Sequence, residues 1–300
     1  MGEKDISEKL LEDYNDIFAD IVNALVFNGE QRIKPDSLTN ANVHSQYKAD
    51  GRLHEQERDV AKKWEECNVE LALLGLENQT KVEKLMPFRI FGYEGASYRA
   101  QLLTKEQNIY PVVTIVLYFG EEHWSQPKRL KELIKIPRGM EEYVNDLEIH
   151  VFEISWLTDE EISRFKSDFK VVANFFSKKR ANPEYIPDDK TEIRHVDEVL
   201  KLLSVMTGDR RYEAVLQNPK GGVANMCDVA ERLENKGRKE GIAEGRAEGR
   251  ADGRAEGRAE GIAFIIQRMH HNGFTAEQIA AATDKGIAEV KAILADNTPS

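Results

Sequence analysis

Apolar residues recur at helical spacing across residues 6–27, through Leu10, Leu11, Ile17, Phe18, Ile21, Val22 and Leu25, and predict an opening amphipathic helix. Two later runs, 70–77 and 111–119, are short and almost continuously apolar. They read as buried strands, the second rich in β-branched and aromatic residues. Between them the pattern predicts a helix over about 87–107, with Pro87 acceptable in its first turn. Residues 147–154 predict a further strand. Thr158-Asp-Glu-Glu161 is a capping box for a helix running to about Lys179. Residues 1–180 therefore read as an α/β domain, a mixed sheet flanked by helices.

Three regions follow. Residues 181–235 form a polar helical extension after a loop containing Pro183 and Pro187. Apolar residues over 196–206 are spaced to pack on the domain, and Gly221-Gly222 separates them from a last helix near 226–233. Residues 236–261 repeat every four positions, with Gly at 241, 245, 249, 253, 257 and 261, an acid before each, and Arg or Ile after. A four-residue period advances about 40° per repeat on an α-helix, so no face stays small. Like charges fall four apart, and each interior Gly costs up to about 1 kcal/mol relative to Ala. The expectation is a flexible or partly helical linker; the alternative is a helix whose small residues pack closely on a partner. Residues 262–300 return to short helices, with a capping box at Thr275-Ala-Glu-Gln278 and breaks at Gly273 and Gly286. This segment has no basic recognition face, so packing or dimerisation is expected of it and not base readout.

Composition narrows the function. Three hundred residues accommodate one core domain with appendages. The net charge is −11, and residues 1–180 alone carry 25 Lys plus Arg against 32 Asp plus Glu. This argues against coating nucleic acid through bulk charge, whereas an enzyme with a local basic groove is not excluded. Cys67 and Cys227 match no metal-ligand spacing, the first ten residues lack a secretory pattern, and the longest apolar run is half a membrane span. A reduced, cytoplasmic protein with no membrane contact is expected.

The chemistry lies at the end of the first strand. In Leu71-Ala-Leu-Leu-Gly-Leu-Glu77-Asn78-Gln79 the alternation of strand side chains puts Glu77 and Gln79 on one face and Asn78 on the other. If the segment bearing Asp59 pairs with this strand, two carboxylates meet, a hard-oxygen site suited to Mg²⁺. The bland alternative is an exposed strand end entering a polar turn.

Arg58-Asp59-Val60, Leu74-Gly-Leu-Glu77-Asn78-Gln79-Thr80, Met86-Pro87-Phe88-Arg89 with Tyr98 and Gln101, and Tyr110-Pro-Val-Val-Thr-Ile-Val-Leu-Tyr-Phe-Gly120 occur in this order. With Phe18-Ala-Asp20-Ile-Val-Asn23 and Gln31-Arg-Ile-Lys-Pro35, the series resembles the Rpn-type recombination-promoting nucleases over roughly residues 10–180. That transposase-like family lies within the PD-(D/E)XK nuclease superfamily. The resemblance implies a restriction-endonuclease-like core, Mg²⁺ (or Mn²⁺) as cofactor and DNA as substrate. Asp59 and Glu77 would be metal ligands, with the Asn78 carbonyl a third oxygen and Asp20 an additional helical acid. Gln79 stands where the superfamily name carries Lys, and a neutral amide orients water or phosphate without supplying charge. Lys62, Lys63, Lys81, Lys84, Arg89 and Arg99 are candidate DNA contacts, the alternative for each being an ordinary solvated surface charge. Two function classes remain: a metal-dependent DNA endonuclease that promotes recombination, and a non-catalytic DNA-associated or oligomeric scaffold on the same fold. A hydrolase of small phosphate esters ranks below both, because no Gly-rich phosphate loop is present. Cutting both strands of a duplex favours two sites, so a homodimer is expected.

Overall fold

Eleven residues of extended chain, mostly apolar up to Leu76 and polar after it, form strand β5 (Val69–Gln79), around which the first part of the molecule is built. The computed structural model describes residues 11–49, 52–66, 69–104, 109–216 and 223–295. On one side β5 pairs antiparallel with β4 (Val60–Glu66), from Val60↔Leu76 to Glu66↔Val69. On the other it pairs parallel with β6 (Val112–Tyr118), from Leu73↔Val112 to Gln79↔Tyr118. The short strands β1 (Leu38–Asn40) and β7 (His150–Glu153) complete a mixed five-stranded sheet, ordered β1-β4-β5-β6-β7. A separate hairpin pairs β2 (His44–Ala49) with β3 (Arg52–Glu57).

Alternation along the strands separates two faces. Leu74, Leu76, Ile115 and Leu117 join the main core with Ile17, Phe18 and Ile21 of helix α1 (Asn15–Leu25) and with Phe169, Val172 and Phe176 of helix α4 (Phe169–Ala181). Val116 and Tyr118, facing the other way, pack with Met86, Ile90 and Tyr93 of helix α2 (Met86–Leu102). Helix α2 also completes the sheet's hydrogen bonding. Strand β7 first pairs at Ile115, and the earlier N–H groups of β6 are taken by α2 side chains: Val112 donates to the Tyr98 hydroxyl (3.1 Å) and Thr114 to Glu94 Oε1 (3.2 Å). Buried backbone donors need such partners.

Several elements differ from the sequence expectation. Helix α2 ends at Leu102, where the Thr104 hydroxyl caps the Gln101 carbonyl at 2.7 Å; residues 105–108, part of the expected helix, lie outside the described residues, as do residues 1–10 and Cys67. The helix opened by the Thr158 capping box is two helices, α3 (Asp159–Ser163) and α4. At the break the backbone N–H groups of Lys166 and Ser167 donate to Asp20 Oδ2 at 2.8 and 2.7 Å, a tertiary partner that the local pattern does not contain. The strand expected over 147–154 is confined to β7. Helices α5 (Val196–Thr207) and α6 (Arg211–Leu216) follow, and Val199, Leu200, Leu202 and Leu203 join the main core.

Residues 1–233 and 234–300 are two compact units. The glycine repeat, expected to be flexible or partly helical, is helical throughout, within α7 (Met226–His271). Helix propagation adds one hydrogen bond per residue once nucleation is met. The first turns of α7 carry the buried Met226 and Val229, and Ile266 near its end is buried as well. Packed ends thus nucleate a stretch whose composition alone would not hold. Within the second unit Ile266 packs with Ile279 of α8 (Ala276–Thr283) and Val290 of α9 (Ile287–Ala295), all three fully buried. The Thr275 capping box is formed as expected. Among the described residues no helix is long and apolar enough to cross a membrane.

Candidate active site

Asp59 occupies a bend directly before β4, and the β4–β5 register continued by one residue sets it opposite Glu77. The pairing required by the sequence argument is therefore present. Asp59 Oδ2 accepts the Asn78 backbone N–H at 2.7 Å, which fixes the carboxylate against β5. A strand residue directs its N–H and C=O to the same neighbour, so the Asn78 carbonyl lies on the edge that Asp59 occupies.

Glu77 is fully buried. Its Oε1 is gripped by the Arg89 guanidinium and receives a weak bond from Gln79 Nε2 at 3.4 Å. Its Oε2 has no hydrogen-bond partner among the described residues. Burial, followed by repulsion from the Asp59 carboxylate, pushes the Glu77 pKa up to about 8 against the pull of Arg89 and Arg58. For Arg89, burial acts to lower the pKa, but the Glu77 carboxylate outweighs it and the guanidinium stays charged. Arg89 also bonds Glu83 Oε2 at 2.8 Å and the Tyr93 hydroxyl at 3.1 Å.

Arg58 enters the same face. A Cβ at Gly75 would lie 2.4 Å from Arg58 Cδ, so glycine at that position lets the arginine cross the strand. Its guanidinium lies 5.5 Å from the Tyr93 ring centre and 3.4 Å from the Ser97 hydroxyl. Burial pulls its pKa down, while Glu94 and Glu77 oppose the shift.

The remaining candidates separate. Asp20 is committed to the α3–α4 break and is not among the groups at Glu77. The helical acid that reaches β5 is instead Glu12, whose Oε2 accepts Asn78 Nδ2 at 2.6 Å on the opposite face of the strand. Lys62 is turned into the core, with Nζ on the Asp13 carbonyl and on Asn40 Oδ1, both at 2.7 Å, so it is not a surface for phosphate. Its neighbour Lys63 faces α2 and, with Arg99, lines a cavity beside the site. Lys81 and Lys84 are exposed in the loop after β5. Sequence reasoning missed Glu12, Tyr93, Glu94 and the siting of Arg58. Gly75 in the middle of an apolar strand was the available signal, because such a glycine marks close approach by another group.

Among the described residues no group of three or more His, Cys, Asp or Glu side chains is arranged to hold a metal ion. Two opposed carboxylates, one with an unpartnered buried oxygen, and a backbone carbonyl on the same edge nevertheless fit a hard divalent ion, provided Arg89 releases Glu77.

No curated protein and no solved structure matches the chain. Residues 66–195, which include Glu77, Gln79 and Arg89 but not Asp59, match the family described as "Putative transposase, YhgA-like", in agreement with the transposase-like resemblance read from the sequence.

Proposed function

We propose that this chain is a Mg²⁺-dependent DNA endonuclease with a restriction-endonuclease-like core, acting in DNA recombination. The observation that carries the reading is the juxtaposition of Asp59 and Glu77 across the β4–β5 ladder, held by the Asn78 N–H. Asp59, Glu77 and the Asn78 carbonyl would hold the ion, which when bound polarises the phosphoryl oxygen and acidifies an attacking water. Gln79, on the same face as Glu77, is in position to orient that water or a phosphate oxygen through its amide. Arg89 is in contact with Glu77; once displaced from it, the guanidinium becomes available to the substrate's negative charge.

The same contact supports a second reading. A Glu77 that is protonated or paired with Arg89 describes a resting site, as a non-catalytic scaffold or a tightly regulated enzyme would have. Supercoiled-plasmid nicking with and without Mg²⁺ separates the two. Wild type should nick only with the metal, and Asp59→Ala should lose nicking by at least a hundredfold while retaining its melting temperature. Equal nicking by both proteins rules out Asp59 as a ligand; no nicking by wild type at any Mg²⁺ or Mn²⁺ concentration leaves the scaffold reading.

A further inference from the structure

A cavity of about 390 Å³ opens beside the acid pair, between the second half of α2, the β4–β5 ladder and residues 41–43. Three cations line it, Arg58, Lys63 and Arg99, and no Asp or Glu is among its lining residues. In a region with an excess of acids, that separation of charge is a local feature of this wall. Ser97, Gln101 and Tyr93 add polar groups to the lining. Gln101 is held in place through its amide oxygen Oε1, which accepts the Tyr110 N–H at 3.0 Å. Apolar residues are interleaved with these: Leu73, the cross-strand partner of Lys63, and Tyr110 belong to a small cluster with Val43 packed against it.

The three cations suit a phosphate, and the aromatic and aliphatic residues beside them suit a base. The volume exceeds what a phosphate alone needs and lies within the range of pockets that enclose a small molecule, about 300–1,000 Å³. The cavity also shares residues with the acid pair. Tyr93 lines it and bonds Arg89, which grips Glu77, and Arg58 feels both Glu77 and Glu94. The geometry points to a pocket for one nucleotide unit of a DNA strand, phosphate on Arg58, Lys63 and Arg99, base against Leu73 and Tyr110, turned out of the stack next to the phosphodiester at Asp59 and Glu77. This assignment rests on the endonuclease reading for the position of the strand. Enzymes that take a base out of its stack hold it in such a pocket.

The test is metal-free, so that no cleavage is needed. A fluorescein-labelled single-stranded octanucleotide is bound to the full chain in EDTA and displaced with thymidine 5′-monophosphate, thymidine or inorganic phosphate. Thymidine 5′-monophosphate should displace the label at a concentration at least tenfold lower than either of the others. Ala96→Trp, which fills the cavity from α2, and Arg99→Glu, on an exposed position, should each weaken displacement at least fivefold with unchanged melting temperature. The unlabelled octanucleotide should compete at least tenfold better than the mononucleotide, because the ligand is a strand; the reverse order overturns the strand assignment. Inorganic phosphate competing as well as the mononucleotide, or indifference to both substitutions, overturns the nucleotide pocket. Binding that behaves as expected in a protein that never nicks DNA sinks the endonuclease reading and leaves the pocket standing. Nicking by a protein that ignores the mononucleotide does the opposite.

Discussion

The two faces of β5 are built from alternate residues of one strand and have opposite characters. Toward α1 and α4 it presents Leu74 and Leu76 in a large apolar core, with Asn78 on Glu12 only at its end; toward α2 it presents Gly75, Glu77 and Gln79, among two arginines and a second carboxylate. The first face follows the ordinary economy of folding, in which apolar area leaves water. The second goes against it, because a fully buried carboxylate beside another carboxylate costs stability unless paired, and one of its oxygens is left unpartnered.

The largest expected effect contrasts neighbouring residues. Leu76→Ala should lower unfolding free energy by about 2–5 kcal/mol, whereas Glu77→Gln, of equal size, should keep or raise stability at pH 8 while abolishing metal-dependent nicking. Urea denaturation of both variants measures this. A loss at Glu77→Gln as large as that at Leu76→Ala would make the polar face structural and erase the contrast.

The pH dependence sharpens it. With the Glu77 pKa raised from its ordinary 4.5 to about 8, the folded protein favours the protonated form. Glu77's contribution to stability is then complete below about pH 4.5 and is lost as pH rises through 8. The difference in melting temperature between metal-free wild type and Glu77→Gln should therefore grow against wild type from pH 5 to pH 9. Nicking, which needs the carboxylate, should rise across the same window. A difference that stays flat from pH 5 to pH 9 would show that Arg89 keeps Glu77 ionised throughout.

A smaller effect is expected at Arg89 itself. Arg89→Gln removes the group that competes with a cation for Glu77 and should lower the Mn²⁺ concentration that half-saturates the protein about tenfold, corresponding to about 1.4 kcal/mol. Unchanged or weaker Mn²⁺ binding, read by titration calorimetry, would mean that the arginine organises the acids and does not obstruct them.

The smallest effect is expected in the glycine repeat of α7. Every glycine from Gly241 to Gly261 has open space where a Cβ would stand. Gly249→Ala should raise helical content, seen by circular dichroism of the full chain, and stabilise the second unit by at most about 1 kcal/mol. Destabilisation instead would show that the glycine makes a close contact with another molecule.

Much of this was legible in the chain. Apolar runs located β5 and β6, because buried strands record their burial in their own residues, and a helix starting near Pro87 was fitted between them. Strand alternation assigned Glu77 and Gln79 to one face. The capping boxes at Thr158 and Thr275 were legible for the same reason, being local hydrogen bonds between residues three apart.

What the sequence could not decide were relations between segments. Asp59 meets Glu77 through the β4–β5 register, and Asp20 leaves the site because the backbone of residues 166–167 needs an acceptor. Lys62 and Lys63, identical in type and adjacent, divide between the core and the cavity wall because strand faces alternate. The repeat became helical although its composition argued otherwise, since its ends are packed and propagation costs less than nucleation. The sequence by itself determined which residues prefer which local conformation, because those preferences are set by near neighbours. The tertiary structure alone decided which charges share a buried space, because that depends on groups brought together from far along the chain.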